Sequence, residues 1–308
     1  MRKVIGIGET ILDIIFRNDQ PSAAVPGGSV FNCIVSLARM GMQTDFITEV
    51  GNDHVGELIQ RYMRDNGIHA NHIDVYHSHK SPVSLAFLND QCDAQYSFYK
   101  NYPDTRLQVN LPQIEENDIV VIGSYYAVTP ALRDKHVELL SEAKKKHAII
   151  FYDLNFRYPH KSEAIKLAPY FLENLEYADI VRGSEEDFMC LYNLSDGDRI
   201  YNDKVKFYCK NFIYTAGTKD VQLYASNVRK SYPVKPLEPV STVGAGDNFN
   251  AGLIYGLVQK GIGYEELSLM NESQWDKVIS YAQRFAAEVC LSFNNSVPKD
   301  FANKILDL

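Results

Sequence analysis

The chain has 308 residues, 45% of them hydrophobic, which is enough to bury a large core, and α/β proteins commonly run to this length around one sheet. A formal net charge of −8 gives no electrostatic footprint for nucleic acid or an anionic membrane, and no apolar run approaches a membrane span. Small soluble molecules are the expected partners, with no nucleic acid and no membrane.

In chain order, apolar runs at 4–8, 44–50, 119–123, 148–153, 180–182 and 212–216 read as core strands. Helical periodicity is clearest at 30–40, 54–66, 130–146 and 275–291. This alternation predicts a parallel sheet covered by helices. Two segments break it: 14–25 follows the first strand without helical pattern, and 82–99 reads as a hairpin around 89–93. Together they predict a small second sheet. His69, His72, His77 and His79 lack a metal-ligand spacing and read as a solvated link. Five cysteines without C-x-x-C spacing, together with an N-terminus that enters a strand at once, predict a reduced cytoplasmic protein. Gly6 and Gly8 lack the third glycine of a dinucleotide fingerprint, because Ile11 stands there, and no Walker A string occurs.

The most informative stretch is Ser241-Thr242-Val243-Gly244-Ala245-Gly246-Asp247, followed by an apolar helix through Ala251, Leu253, Ile254, Leu257 and Val258. Glycines before a helix let consecutive amides converge on an oxyanion, and the helix adds unpaired N–H groups and positive dipole at the same point. Asp247 falls within the first turn. Far upstream, Gly27-Gly28 opens another helix with Asn32 one turn in, and Asp13 closes the run that begins at Gly8. Asp153-Leu154-Asn155-Phe156-Arg157 follows a buried-looking strand, where open α/β sheets place ligands. Gly183-Ser184-Glu185-Glu186-Asp187 and Thr215-Ala216-Gly217-Thr218-Lys219-Asp220 end two further strands.

The 241–247 string resembles the C-terminal signature of the ribokinase-like (PfkB) kinases, D-T-x-G-A-G-D, and Gly27-Gly28 with Asn32 resembles their N-terminal G-G-x-x-x-N. The resemblance implies a single kinase domain over 1–308. Its fold would be a three-layer α/β/α sandwich with a mostly parallel central sheet and a small β-lid at 14–25 and 83–102. It implies Asp247 as general base, Gly244, Ala245 and Gly246 as anion hole, and Arg157 as phosphate clamp. Asp13, Gly27, Gly28, Asn32 and Asn155 would hold the sugar. Ser184, Thr215, Gly217, Thr242 and Asn295 would hold ATP, and Asp187 would lie near the water shell of Mg²⁺.

Four positions depart from the pattern, one of them Ser184, which stands where the family has Asn. Ser241 replaces an acid associated with a monovalent-cation site, so little K⁺ activation is expected. Asp187 replaces Glu, and Asp220 replaces the last glycine of the nucleotide loop. The implied activity is ATP-dependent phosphorylation of a sugar hydroxymethyl group, fructose first, by a homodimer that pairs its lids. Ribose, a nucleoside or 2-keto-3-deoxygluconate are the alternatives. A sugar acid would need a cation near the lid, where Lys100 and Arg106 stand. A catalytically silent sugar-binding regulator is the reading from another class, against which the intact 244–247 argues.

Overall fold

The structure is a computed structural model and describes residues 2–88 and 94–305. The N-terminal half runs β1 (Lys3–Ile7), β2 (Ile11–Arg17), β3 (Gln20–Gly27), α1 (Ser29–Arg39), β4 (Gln43–Gly51), α2 (His54–Asp65), β5 (His69–Tyr76), β6 (Val83–Leu88), β7 (Ala94–Tyr99) and β8 (Ile119–Gly123). There follow α3 (Arg133–Lys145), β9 (Ile149–Asp153), α4 (Ala164–Tyr177), β10 (Ile180–Ser184), α5 (Glu185–Tyr192), α6 (Gly197–Ile200) and β11 (Asn211–Thr215). The chain closes with β12 (Val221–Tyr224), β13 (Arg229–Tyr232), α7 (Ala245–Gln259), α8 (Tyr264–Leu267), α9 (Glu272–Val289) and α10 (Phe301–Ile305).

Among the described residues, nine strands form one sheet in the order β13-β12-β11-β10-β9-β8-β1-β4-β5. It is parallel from β11 through β5, with an antiparallel hairpin, β12 and β13, at one edge. Successive side chains of a strand point to opposite faces, and here both faces are buried. Val4, Val121 and Ile213 pack in one apolar layer with α1, α7 and α9; Ile5, Val120 and Phe212 pack in the other with α3, α4 and α5. The result is the expected three-layer α/β/α arrangement. All six predicted core strands are present within a residue or two. The 130–146 helix begins at Arg133, because Pro130–Leu132 takes a 3₁₀ turn first.

A four-stranded sheet, β3-β2-β6-β7, stands apart from the large one. β2 pairs antiparallel with β3 and parallel with β6, and β6 pairs antiparallel with β7. Its first strand starts at Ile11, three residues before the predicted boundary, and residues 100–102 lie beyond its last strand. The predicted turn at 89–93 lies outside the described residues.

The histidine segment corrects the sequence reading. His69 to Tyr76 is not a solvated link but an edge strand parallel to β4, and its polar, half-exposed alternation hid it from a hydrophobic pattern. The strand order positions the site. β1 and β8 are neighbours, yet α1, which follows β1 after the small sheet, and α3, which follows β8, pack on opposite faces. Such a reversal opens a crevice at the carboxyl ends of the strands.

Candidate active site

Three elements meet over this crevice: the mouth of α7, the mouth of α1 and the small sheet. Thr242 through Ala245 form a turn in which the Ala245 amide donates to the Thr242 carbonyl at 3.2 Å. Gly244 takes φ 80° and ψ −1°, the third-residue geometry of a type II turn that L side chains resist. One of the three predicted anion-hole amides, that of Ala245, is thus engaged by the turn. The first-turn amides of Gly246 and Asp247 have no acceptor within the helix. Ser241 Oγ accepts from the Val243 amide at 3.2 Å, so the hydroxyl that replaces the family's acid braces this turn.

Asp247 lies buried in the first turn of α7, and Asn32 Nδ2 donates to its Oδ2 at 2.7 Å. Burial pushes its carboxyl above the ordinary aspartate value, opposed by Asn32, Arg157, Ser29 and Arg182. Asn248, the next residue, donates to the carbonyls of Gly244 and Asn295 at 2.8 and 2.9 Å and accepts from Ser36 Oγ at 2.5 Å. That amide ties α7, α1 and the C-terminal segment together. Gly28 caps α1 with φ 130°, and a Cβ there would overlap the carbonyl oxygen of Glu9. A Cβ on Gly27 would overlap Asp13 Oδ2. The double glycine is therefore required by the chain's own packing, whatever ligand approaches it.

Asp13 is buried between Ser84, whose hydroxyl donates to Oδ1, and Asn295, whose Nδ2 donates to Oδ2 at 3.1 Å. Burial pushes its carboxyl up to about 6; Ser84 and Asn295 pull down, while Asp247 and Glu9 push up. Asn295 was expected beside the nucleotide. Its side chain instead sits on Asp13, on the Gly27 side of the crevice.

On the opposite wall the sequence reading is corrected again. Asp187 accepts from Ser184 N at 2.6 Å, Ser184 Oγ at 2.7 Å and the Phe156 amide at 2.7 Å, and the Asp187 amide donates back to Ser184 Oγ at 3.2 Å. This is a capping box that also pins the turn after β9. A carboxylate so occupied, and 1% exposed, does not fit a metal ligand, and no group of three or more His, Cys, Asp or Glu among the described residues could hold an ion. Asn155 sits in that pinned turn, buried, with φ 36°. Arg157 is half-exposed and donates to Glu186 at 3.1 Å. Gly217 lies in an open loop with φ 57° and no atom within 4 Å of where a Cβ would stand.

Sequence reasoning missed Arg182. It is buried in β10, donating from NH1 to Asp153 Oδ1 at 3.1 Å and from NH2 to Thr215 Oγ1 at 2.6 Å. Asp153 Oδ2 in turn accepts from Asn250 Nδ2 at 2.8 Å, one turn beyond Asp247 on α7. A cation inside Ile180-Val181-Arg182-Gly183 was the available signal, since a buried charge demands partners. The two lid cations are also paired: Lys100 with Glu9 at 2.6 Å, and Arg106 with Glu49, over whose Oε1 the Tyr126 hydroxyl also lies at 3.2 Å.

A buried, hydrogen-bonded carboxylate at a glycine-opened helix mouth, over the strand ends of a parallel sheet, is the kind of arrangement in which group-transfer enzymes set an acid–base residue beside an anion site. The pfkB family carbohydrate kinase domain matches residues 1–300, and the chain belongs to that family. It is an alcohol-acceptor phosphotransferase of the carbohydrate kinase type. Fructokinase-1 of Oryza sativa subsp. japonica is 25% identical over 302 residues, covering 92% of this chain and 90% of its own. A 5-dehydro-2-deoxygluconokinase of Geobacillus kaustophilus is 30% identical over 250 residues, covering 75% and 72%. Among solved structures, the fructokinase of Vibrio cholerae O395 with fructose, ADP and calcium superposes with TM-score 0.85 at 20% identity, covering 100% of this chain and 99% of that one.

Proposed function

We propose that this kinase transfers the γ-phosphoryl group of ATP to the hydroxymethyl group of a neutral sugar, fructose first. The observation that carries this reading is Asp247, buried, oriented by Asn32, and facing the Asp13–Asn295 pair across the crevice. Asp13 accepts from sugar hydroxyls, while the glycine turns bring backbone close to the ring. Asp247 takes the hydroxymethyl proton as that oxygen attacks the γ-phosphorus; the new O–P bond forms as the bond to the ADP oxygen breaks. Burial raises the basicity of Asp247 toward the working pH, which favours it as a general base. Amides at the mouth of α7 receive the charge on the equatorial phosphoryl oxygens, and Arg157 leaves Glu186 to clamp the phosphates.

The divalent ion enters with ATP as part of the substrate, and Asp187, held by Ser184 and the Phe156 amide, meets it only through the ion's water shell. Thr215 and Thr242 border the nucleotide. The outer strands of the small sheet, β3 and β7, have open edges, and pairing with a second copy would satisfy them. The cytoplasm is the compartment we propose for it.

Lys100 and Arg106, the two cations expected to serve a sugar carboxylate, are already held by Glu9 and Glu49. The likeness to a 5-dehydro-2-deoxygluconokinase supports the rival acceptor, a sugar acid. A coupled ATP-turnover assay over fructose, ribose, adenosine and 2-keto-3-deoxygluconate decides: fructose should give the highest kcat/KM. A sugar acid or nucleoside that exceeds fructose overturns the reading.

A further inference from the structure

Arg182 is the one strong feature of the crevice that the proposed chemistry leaves unused. A Cβ built on Gly246 would lie 3.1 and 3.2 Å from its NH1 and NH2, so the guanidinium packs directly against the backbone of the anion-hole turn. Its two described bonds go to different strands, Asp153 on β9 and Thr215 on β11, and Asp153 passes the connection to Asn250 on α7. Its Nε is buried with no partner among the described residues. A fixed guanidinium thus sits where β9, β10, β11 and α7 converge.

We propose that Arg182 is a positioning residue for phosphoryl transfer: it fixes the mouth of α7 through Asp153 and Asn250, and supplies fixed positive charge beneath the anion hole. Two results follow. The amides of Gly246 and Asp247 stay aimed at the phosphoryl oxygens only while the guanidinium fills the space that Gly246 leaves. The same charge favours the ionised form of Asp247, the form that can accept a proton. The titratable and charged groups facing Asp247 are Asp13 on β2, Cys33 on α1, Tyr96 on β7, Asp153 on β9, Arg157 after β9 and Arg182 on β10. Arg182 and Arg157 are the cations of that set, and Arg157 is half-exposed and turned to Glu186. Arg182 is the buried one, packed beneath the anion-hole turn, and it adds to the stronger pull that Arg157 exerts on the Asp247 carboxyl.

The inference rests on Asp247 being the base, so Asp247→Asn is measured in the same assay. The test compares Arg182→Gln and Arg182→Lys with the wild-type protein in a coupled ATP-turnover assay between pH 5 and 9, with sugar and ATP varied separately. Arg182→Gln should lower kcat about 100-fold, the scale of an oxyanion-stabilising group, with the KM for sugar changed less than about threefold. Because a lost positive charge favours protonated Asp247, the acid limb of kcat/KM should move to higher pH in Arg182→Gln and stay near its wild-type position in Arg182→Lys. If Arg182→Gln leaves an unfolded protein, Arg182→Gln combined with Asp153→Asn removes both buried charges and should show the same loss. Wild-type kcat and acid limb in either Gln variant overturn the proposal, as does an acid limb shifted equally in Lys and Gln. Near-normal turnover by Asp247→Asn overturns the base assignment and this inference with it, whereas loss in Asp247→Asn beside a wild-type-like Arg182→Gln sinks this inference alone.

Discussion

Replacing Gly28 by alanine tests whether the double glycine serves the packing of the site, and Gly41 supplies its control. Both have positive φ, 130° at Gly28 and 78° at Gly41. At Gly41 nothing lies within 4 Å of the added methyl, whereas at Gly28 it runs into the backbone carbonyl of Glu9. Gly41→Ala should therefore cost only the left-handed backbone penalty, about 1 kcal/mol. Gly28→Ala adds to a glycine-only backbone conformation, about 2 kcal/mol, an overpacking cost of about 2 kcal/mol, since backbone must move to relieve the overlap.

At about 2.1 cal/mol/K of unfolding entropy per residue, this chain changes Tm by roughly 1.5 °C per kcal/mol. Differential scanning fluorimetry should then show losses of about 6 °C for Gly28→Ala and about 1.5 °C for Gly41→Ala. The displaced Glu9 carbonyl also moves the turn that carries Asn32. In Gly28→Ala kcat/KM for sugar should fall about 100-fold, the scale set by an ångström of misplacement, and Gly41→Ala should leave it unchanged. Equal Tm losses in the two variants, or a Gly28→Ala enzyme with wild-type kcat/KM, would refute the reasoning.

Asp13, whose carboxyl burial raises to about 6 from an ordinary 3.8, binds a proton more tightly folded than unfolded. Its stabilising contribution is fully present below pH 3.8 and is lost as pH rises through about 6, a change of about 3 kcal/mol. Asp13→Asn should therefore gain stability relative to wild type between pH 4.5 and 7 in urea melts, helped by the turning of the Asn295 amide, whose Oδ1 has no partner among the described residues; a pH-independent difference would remove the linkage. Exchange of Na⁺ for K⁺ at constant ionic strength should alter turnover little, because Ser241 braces its own turn; saturable K⁺ activation would contradict this. Hydrogen exchange should slow at 11–27, 83–88 and 94–99 when sugar binds, since Tyr96, stacked on Phe98 at 5.6 Å, lies close enough to Asp13 and Asp247 to feel their charge. Equal exchange rates with and without sugar, in an enzyme that turns over, would dismiss the lid.

The parts of this molecule legible in its sequence are those set by neighbours along the chain. Glycines 244 and 246 with Asp247 declare a helix mouth because turn, dipole and acid fall within a few residues. The core strands declare themselves because both faces are apolar. What could not be read depends on partners far away in sequence. Nothing near Asn295 says that its amide will sit on Asp13, 282 positions away. Ser184 and Asp187 look like ligand groups in a motif, yet S-x-x-D at a helix start is also the pattern of a capping box, and that is how their side chains are arranged. The edge strand β5 was obscured for the opposite reason: one flank faces solvent, so its alternation of polar residues resembles a loop.

The long reach of the site bears on how the protein comes into being. Asn32 meets Asp247 across 215 positions and Asp13 meets Asn295 across 282, while most neighbouring strands of the large sheet are also close in sequence, β1 with β8 excepted. Loop-closure entropy delays contacts of such separation. During synthesis, β1 through β8 are made long before α7, so Asp13 has Ser84 but lacks Asn295, and Asn32 waits without Asp247 on a half-built surface. Catalytic competence is then gained in the last step of maturation rather than accumulated gradually, and a nascent chain still on the ribosome depends on other means to shield that face until residue 295 has emerged.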